Sequence, residues 1–173
     1  MQTDEALARH VADGDEHALR ELLRRYEQPL ARFLYRQTGG RDVDDLYQET
    51  WLRVVRHAAR FDPTRRFSTW LFQIAVNLCR DWHRRPPPEP HPLDDGPAPD
   101  QHARTDAALD AAQLLAQLPA AQREVVVLRY YEDLSEDEVA TILDIPKGTV
   151  KSRLHQAIAR MAALVSAERR VAS

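Results

Sequence analysis

The sequence predicts an all-α protein with two small helical domains joined by a proline-rich linker. Residues that favour helices, chiefly Leu, Ala, Arg and Glu, dominate the 173-residue chain, which has only five glycines. Apolar residues recur at three- and four-residue intervals in several segments, as on the buried face of a helix. Seven of the eleven prolines fall within residues 84–101. Proline lacks the backbone N–H donor and fixes φ, so a stretch this rich in proline is not expected to be helical and separates two helical units.

The first domain, residues 1–85, contains three apolar stripes with helical spacing. The first stripe ends at Gly39 and Gly40, which break the helical pattern. The loop before the third stripe has the sequence FDPTRR, and its proline stops the preceding helix. We therefore predict a bundle of three or more helices, with the stripes at residues 19–34, 43–58 and 67–82.

The second domain is predicted at residues 107–173, after an acidic linker at 86–106. Its segment REVVVLRYY, 123–131, could form a strand, but a lone strand would lack a partner, so a buried helix is favoured. Ser135 and Glu138 fit a capping box that starts a short helix, which ends near Pro146. A longer basic helix follows. Two helices joined by such a short turn form a helix-turn-helix pattern.

Charge is strongly segregated along the chain. Residues 60–85 hold six basic and two acidic side chains, and residues 145–173 hold six and one. Residues 86–112, between these two segments, hold one basic and six acidic side chains. Two cationic segments separated by an acidic one favour two contacts with a polyanion. Ordinary solvated helix faces are the alternative for either segment alone.

The segment PKGTVKSRLH, 146–155, superficially resembles a phosphate-binding loop. That loop needs a second glycine directly before the lysine and a preceding strand, and this sequence predicts neither. The interpretation is a recognition helix entering DNA, and a plain αα-hairpin stays open on this pattern alone. The polar face of the helix carries donors suited to phosphates and base edges: Thr149, Lys151, Ser152, His155 and Gln156.

Other functional classes find little support in the residues. Cys79 is the single cysteine, so an internal disulfide is excluded and a reducing cytoplasm fits. Cys79 and His83 could share a helix face, but two ligands do not make a zinc site, and a packed thiol is preferred. No signal peptide or membrane-spanning run occurs, so we expect no membrane insertion. We also expect no catalytic residues, no metal and no cofactor.

Two long segments resemble the extracytoplasmic-function (ECF) sigma factors of bacterial RNA polymerase. Residues 42–85 resemble their region two, and residues 118–161 resemble their promoter-reading region four. The strings FSTWL and GTVKSRLH are specific to this resemblance. It implies a non-enzymatic alternative sigma factor that binds core polymerase and directs initiation at particular promoters. The resemblance also implies that it reads minus-thirty-five and minus-ten elements and traps a flipped base during melting.

The resemblance implies three sets of site residues. The helix at 43–58 docks on the beta-prime clamp helices in this family, whereas Trp51 is better explained as core. Asn77 occupies the position that hydrogen-bonds a flipped base. The implied sets are Asp45, Gln48 and Glu49 for core polymerase; Asp62, Arg65, Arg66, Phe67, Asn77, Arg80, Arg84 and Arg85 for the minus-ten element; and Thr149, Lys151, Ser152, Arg153, His155 and Gln156 for the minus-thirty-five element.

Further partners are implied by the same resemblance, namely promoter DNA, the beta flap of the polymerase and a dedicated anti-sigma protein. About a dozen residues follow Met161, too few for a built-in inhibitor, so a separate anti-sigma partner is expected. Gln73, Gln156 and Ile158 depart from the family pattern, which commonly has basic residues at these positions. Gln156 therefore predicts an altered minus-thirty-five preference. The alternatives are a stand-alone helix-turn-helix regulator and a polymerase-binding adaptor.

Overall fold

The computed structural model describes residues 2–85 and 106–171. Within these two ranges the chain is almost entirely helical, as the periodicity predicted, and no strand is found there. A 3₁₀ turn at Ala58–Arg60 follows the third helix, and a π-helical turn at Val127–Tyr131 follows the sixth. The α-helices are α1 Asp4–Ala12, α2 Glu16–Thr38, α3 Val43–His57, α4 Phe67–Arg84, α5 Asp106–Ala116, α6 Ala120–Val126, α7 Glu136–Leu143 and α8 Lys147–Val171.

Local sequence signals set the ends of α2. The Oδ1 atom of Asp15 accepts hydrogen bonds from the backbone amides of His17 (2.8 Å) and Ala18 (3.2 Å), which satisfies two free donors of the first turn. Gly39 ends the helix with a φ of 67°, a left-handed conformation that glycine adopts without steric cost. The predicted break after the first stripe is therefore confirmed.

The first domain consists of α1–α4 packed around an aromatic and aliphatic core. Phe33 and Phe72 meet edge to face with ring centroids 5.2 Å apart, and this pair joins α2 to α4. Trp51 is only 6% exposed, which confirms its predicted place in the core. Trp70 and Trp82 are partly buried and pack against the same core. The three predicted stripes correspond to α2, α3 and α4.

The valine-rich segment of the second domain is helical. Val125, Val127 and Leu128 are fully buried, so a continuous apolar run here reflects a helix enclosed by its neighbours. The capping box is also confirmed: the amide of Glu138 donates to Ser135 Oγ, and the amide of Ser135 donates to Glu138 Oε2. Asp144 ends α7 in a left-handed conformation with a φ of 54°.

The two domains pack against each other. Helix α7 lies on α4, and α2 contacts both α6 and the π-helical turn. The buried apolar residues of both domains belong to one cluster. Except for its last position, Asp106, the predicted linker lies outside the described residues. The contacts between helices therefore define how the two domains are placed relative to each other.

Candidate nucleic-acid and polymerase interfaces

Helix α8 presents the polar face expected of a recognition helix. Val150, Leu154 and Ala157 are buried against the domain, and they orient the opposite side of the helix outwards. Thr149 and Arg153 are partly exposed, and the other four predicted residues are exposed: Lys151, Ser152, His155 and Gln156. No acidic side chain occurs between residues 145 and 167. The face is therefore rich in hydrogen-bond donors and has no negative charge of its own.

Two lysines near the start of α8 pair with acids of α7. Lys147 Nζ lies 2.8 Å from Asp137 Oδ2, and Lys151 Nζ lies 3.8 Å from Glu136 Oε2. All four side chains are substantially solvent-exposed, so each pair stabilises the fold by at most about 1 kcal/mol. Such pairs exchange readily for contacts with phosphate.

The second predicted surface lies on α4 and the loop before it. Asn77 is exposed on α4, and Arg65, Arg84 and Arg85 are exposed as well. Asp62 shapes the loop, because its Oδ1 accepts hydrogen bonds from the amide (2.9 Å) and the hydroxyl (2.7 Å) of Thr64. These bonds lower the pKa of Asp62. Asp62 thus has a clear structural role in the loop.

Phe67 differs from the other predicted minus-ten residues. Its side chain is fully buried and packs edge to face against Tyr26 (5.4 Å between centroids) and Phe61 (5.9 Å). In this arrangement the ring belongs to the core and is not available to a base. The helical spacing of Phe67 with Leu71 and Ile74 already contained this signal.

Arg66 and Arg80 are held by the second domain. Arg80 makes a bidentate pair with Glu124, with Nε–Oε1 and Nη2–Oε2 distances of 2.9 Å each. Arg66 Nη1 lies 2.6 Å from Glu138 Oε1. Sequence reasoning missed both contacts, because the paired residues lie 44 and 72 positions apart.

A third surface lies on α3. Asp45 and Gln48 are exposed, and Glu49 pairs with Arg53 at 2.9 Å. Beside them is an apolar groove of about 340 Å³ between α2 and α3. Leu52 and Val55 are 57% and 46% exposed there, which is unusual for large aliphatic side chains. We call this the α2–α3 groove; it is lined by Leu19, Leu23, Tyr47, Gln48, Trp51, Leu52 and Val55.

Sequence reasoning did not identify the α2–α3 groove. Part of the signal was present, because Leu52 falls outside the predicted apolar stripe of α3. Val55 belonged to that stripe and was expected to be buried, but it is exposed at the groove. An apolar residue on the polar side of a helix is a cue for a partner.

Cys79, the single thiol, has a structural role. Cys79 is 3% exposed, and burial raises its pKa to about 12, so it is a packed thiol as predicted. In the part of the chain that the structure describes, no cluster of His, Cys, Asp and Glu could hold a metal ion. None of the described helices has the length and apolar character needed to cross a bilayer.

Comparison with known proteins identifies the family of both domains. The family model for sigma-70 region 2 matches residues 22–86, and that for sigma-70 region 4 matches residues 108–161. The first match contains α4 and all of the residues that line the α2–α3 groove except Leu19. The second contains α7, the turn and the first part of α8.

Two relatives refine this assignment. The ECF RNA polymerase sigma factor SigM of Mycobacterium tuberculosis is 39% identical over 165 residues, which cover 93% of this chain and 83% of SigM. SigW of Bacillus subtilis is 32% identical over 167 residues, covering 86% of this chain and 89% of SigW. The chain belongs to the ECF sigma factors, non-enzymatic initiation factors that bind RNA polymerase and promoter DNA.

A solved structure extends the likeness to both domains. The match is to CnrH in complex with the cytosolic domain of CnrY, with a TM-score of 0.75 and 29% identity. It covers 96% of this chain and 99% of the matched chain. The similarity therefore includes the arrangement of the two domains as well as the fold of each.

Proposed function

We propose that this sigma factor reads a minus-thirty-five element with α8 and a minus-ten element with α4. The proposed reading of the minus-thirty-five element rests on one observation: the outward face of α8 is exposed and free of acidic side chains. Its amide, hydroxyl, imidazole and cationic groups match the donors and acceptors of base edges and phosphates. The proposed contacts are those predicted from the sequence: Thr149, Lys151, Ser152, Arg153, His155 and Gln156.

For the minus-ten element, Asn77 binds a base that leaves the duplex during melting. Extruding a base costs a few kcal/mol, so a specific hydrogen-bonding group and a cationic surround are needed to stabilise it. The exposed carboxamide of Asn77 supplies the first. The cationic surround consists of Arg65, Arg66, Arg80, Arg84 and Arg85. Arg66 and Arg80 must first leave their acidic partners in the second domain, and Arg65 and Arg84 exchange their exposed pairs with Asp62 and Asp81 for phosphate contacts.

The α2–α3 groove and its acidic rim bind the beta-prime clamp helices of core polymerase. The exposed apolar groove offers surface that a partner can bury on binding. Asp45 and Glu49 beside it offer negative charge to a basic partner. The second domain binds the beta flap. Initiation takes place in the cytoplasm, where the polymerase works. The likeness to CnrH, described in complex with CnrY, supports a separate anti-sigma partner for this chain.

Replacing Asn77 with alanine tests the melting step. Promoters are first selected from a random library with the wild-type holoenzyme. On these promoters, N77A holoenzyme is expected to show roughly tenfold less open complex, equivalent to one lost hydrogen bond. Permanganate reactivity of unpaired thymines measures the open complex. Asn77 is exposed, so the fold is expected to be unchanged.

The matched control is Q117A, which removes an exposed carboxamide from outside α4 and α8. Normal melting by Q117A together with impaired melting by N77A supports the proposal. Equal melting by N77A and the wild type contradicts the role of Asn77. Failure of the wild type to direct initiation with any core polymerase contradicts the whole assignment.

A further inference from the structure

We infer that Glu5 of α1 is a positioning residue for minus-ten recognition, because it fixes the junction between the loop at 62–66 and α4. The inference rests on the proposed function of α4. Oε1 of Glu5 accepts a hydrogen bond of 3.0 Å from the backbone amide of Phe67, the first residue of α4. The two residues lie 62 positions apart, so sequence reasoning assigned no role to Glu5.

The start of α4 lacks the local signals that usually begin a helix. Its N-cap residue is Arg66, whose side chain makes no capping hydrogen bond, and its first turn contains no acidic residue. Helix starts favour Ser, Thr, Asp or Asn at the N-cap and negative charge nearby, because the first amides have no partner within the helix. Helices α1, α2 and α7 each begin with such a side-chain cap. For α4, an acceptor comes instead from another helix.

The residues just before α4 make this acceptor more important. Arg65 and Arg66 place two cations at the end of the helix dipole that disfavours positive charge. Their side chains are 66% and 68% exposed, as the proposed phosphate contacts require. An acidic N-cap in place of Arg66 would cap the helix but remove one of these contacts. The partly buried Glu5 supplies an acceptor and negative charge without occupying a position in the loop.

Glu5 is itself held in place by its neighbour. Asp4 Oδ1 accepts a hydrogen bond from Arg25 Nη1, and Asp4 Oδ2 accepts one from the Tyr26 hydroxyl, both at 2.6 Å. The Tyr26 ring in turn packs against the ring of Phe67. Helix α1 also contacts α4 and the 3₁₀ turn that precedes the loop. The carboxylate of Glu5 is therefore presented to α4 from a fixed support.

The junction matters because the loop and α4 carry different parts of the minus-ten surface. Arg65 and Arg66 lie in the loop, whereas Asn77 lies farther along the helix. Binding of a flipped base together with its neighbouring phosphates requires a fixed spacing between these groups. Without Glu5, the Phe67 amide loses this partner and the first turn of α4 opens more often. Core binding at the α2–α3 groove and minus-thirty-five reading by α8 do not involve the junction.

Replacing Glu5 in the full-length protein tests the inference. On promoters selected with the wild-type holoenzyme, E5A holoenzyme is expected to give roughly fivefold less open complex by permanganate reactivity, as for a lost helix cap. Its affinity for core polymerase, measured by fluorescence anisotropy, is expected to equal that of the wild type. E5Q keeps an oxygen that can accept from the Phe67 amide but lacks the charge. Its open complex is therefore expected to lie between those of E5A and the wild type.

The matched control is D13A, which removes one acidic charge from an exposed residue at the other end of α1. Normal melting by D13A with impaired melting by E5A supports the inference. Equal losses in D13A and E5A overturn it, because any charge removed from α1 would then suffice. A loss of core affinity in E5A as large as its loss of melting also overturns it, because the effect would be a general one. E5Q as impaired as E5A overturns capping through the hydrogen bond.

Amide hydrogen exchange of the free protein, measured by NMR, separates the cap from the proposed function of α4. E5A is expected to speed exchange at the Phe67 amide by roughly fivefold, since exchange reports local opening. Unchanged exchange at Phe67 overturns the inference even where melting falls. Faster exchange with unchanged melting by E5A overturns the role in minus-ten recognition. Failure of the proposed function is detected separately, by normal melting of the N77A holoenzyme.

Discussion

Glu138 links two structural tasks through its two carboxylate oxygens. Oε2 completes the capping box at Ser135, and Oε1 accepts from Arg66 of the other domain at 2.6 Å. Partial burial raises its pKa, but the hydrogen bonds from Ser135 and Arg66 outweigh this effect and lower it overall. A charged Glu138 is therefore favoured in the folded protein, as an ion pair with Arg66 requires.

Gln156 is the residue on α8 at which base preference is most readily changed. Glutamine pairs well with adenine and arginine with guanine, and a good bidentate pair discriminates by about 1–3 kcal/mol. Q156R is expected to shift one position of the selected minus-thirty-five sequence toward guanine. Promoter selection from a random library with wild-type and variant holoenzymes measures the shift. Identical selected sequences count against base reading by this residue.

Glu132 makes stability depend on pH. Burial raises its pKa from 4.5 to about 7, more than the nearby Arg36 and Arg32 lower it. Because the folded pKa lies above the unfolded one, the stabilisation is complete below pH 4.5 and is lost as the pH rises through about 7. The ring of Tyr131, which also contacts Arg36, lies beside this pair.

The variant E132Q isolates this effect. Its free energy of unfolding, measured by chemical denaturation, is expected to lack the fall between pH 4.5 and 7 that the wild type shows. His83 acts in the opposite direction, because burial lowers its pKa below 6.5, but it is present in both proteins. A constant difference between the two proteins across this range refutes the assignment to Glu132.

At the scale of elements, α3 serves two surfaces at once. One side of the helix buries Leu46, Trp51 and Val54 in the core of the first domain. The other exposes Leu52 and Val55 at the α2–α3 groove. An amphipathic helix with a second apolar edge is stable in the free domain and still has apolar surface to bury against a partner.

Leu52 is expected to contribute strongly to polymerase binding. Full burial of a leucine side chain is worth about 1.5–3 kcal/mol, so L52D should weaken the affinity for core polymerase by at least roughly tenfold. Fluorescence anisotropy of labelled sigma factor with core enzyme measures this. A59D introduces the same charge at an exposed site outside the groove and serves as the control. Equal losses in the two variants would mean that added charge, and not the groove, is responsible.

At the scale of the whole molecule, charge and domain packing act together. The net charge is −3. Four arginines of the proposed minus-ten surface pair with acids of the same chain: Arg65, Arg66, Arg80 and Arg84. Few cations remain to displace counterions from a duplex, and counterion release provides most of the affinity of proteins for DNA. The free protein is thus suited to remain off DNA.

The isolated protein is expected to bind duplex promoter weakly, and the holoenzyme tightly, at physiological salt. Footprinting the same selected promoter with each of them measures the difference. Protection by the free sigma factor that equals protection by the holoenzyme would contradict the charge argument.

The sequence by itself determined the helices, the capping box, the turn before α8 and the family. Each depends on residues close together in the chain, such as Ser135 with Glu138, whose spacing fixes their geometry. Only the tertiary structure revealed that Arg80 meets Glu124, that Arg66 meets Glu138 and that Leu52 borders a groove. Those facts depend on how the helices pack, and the apolar stripes fix which face is buried without fixing the neighbour it is buried against.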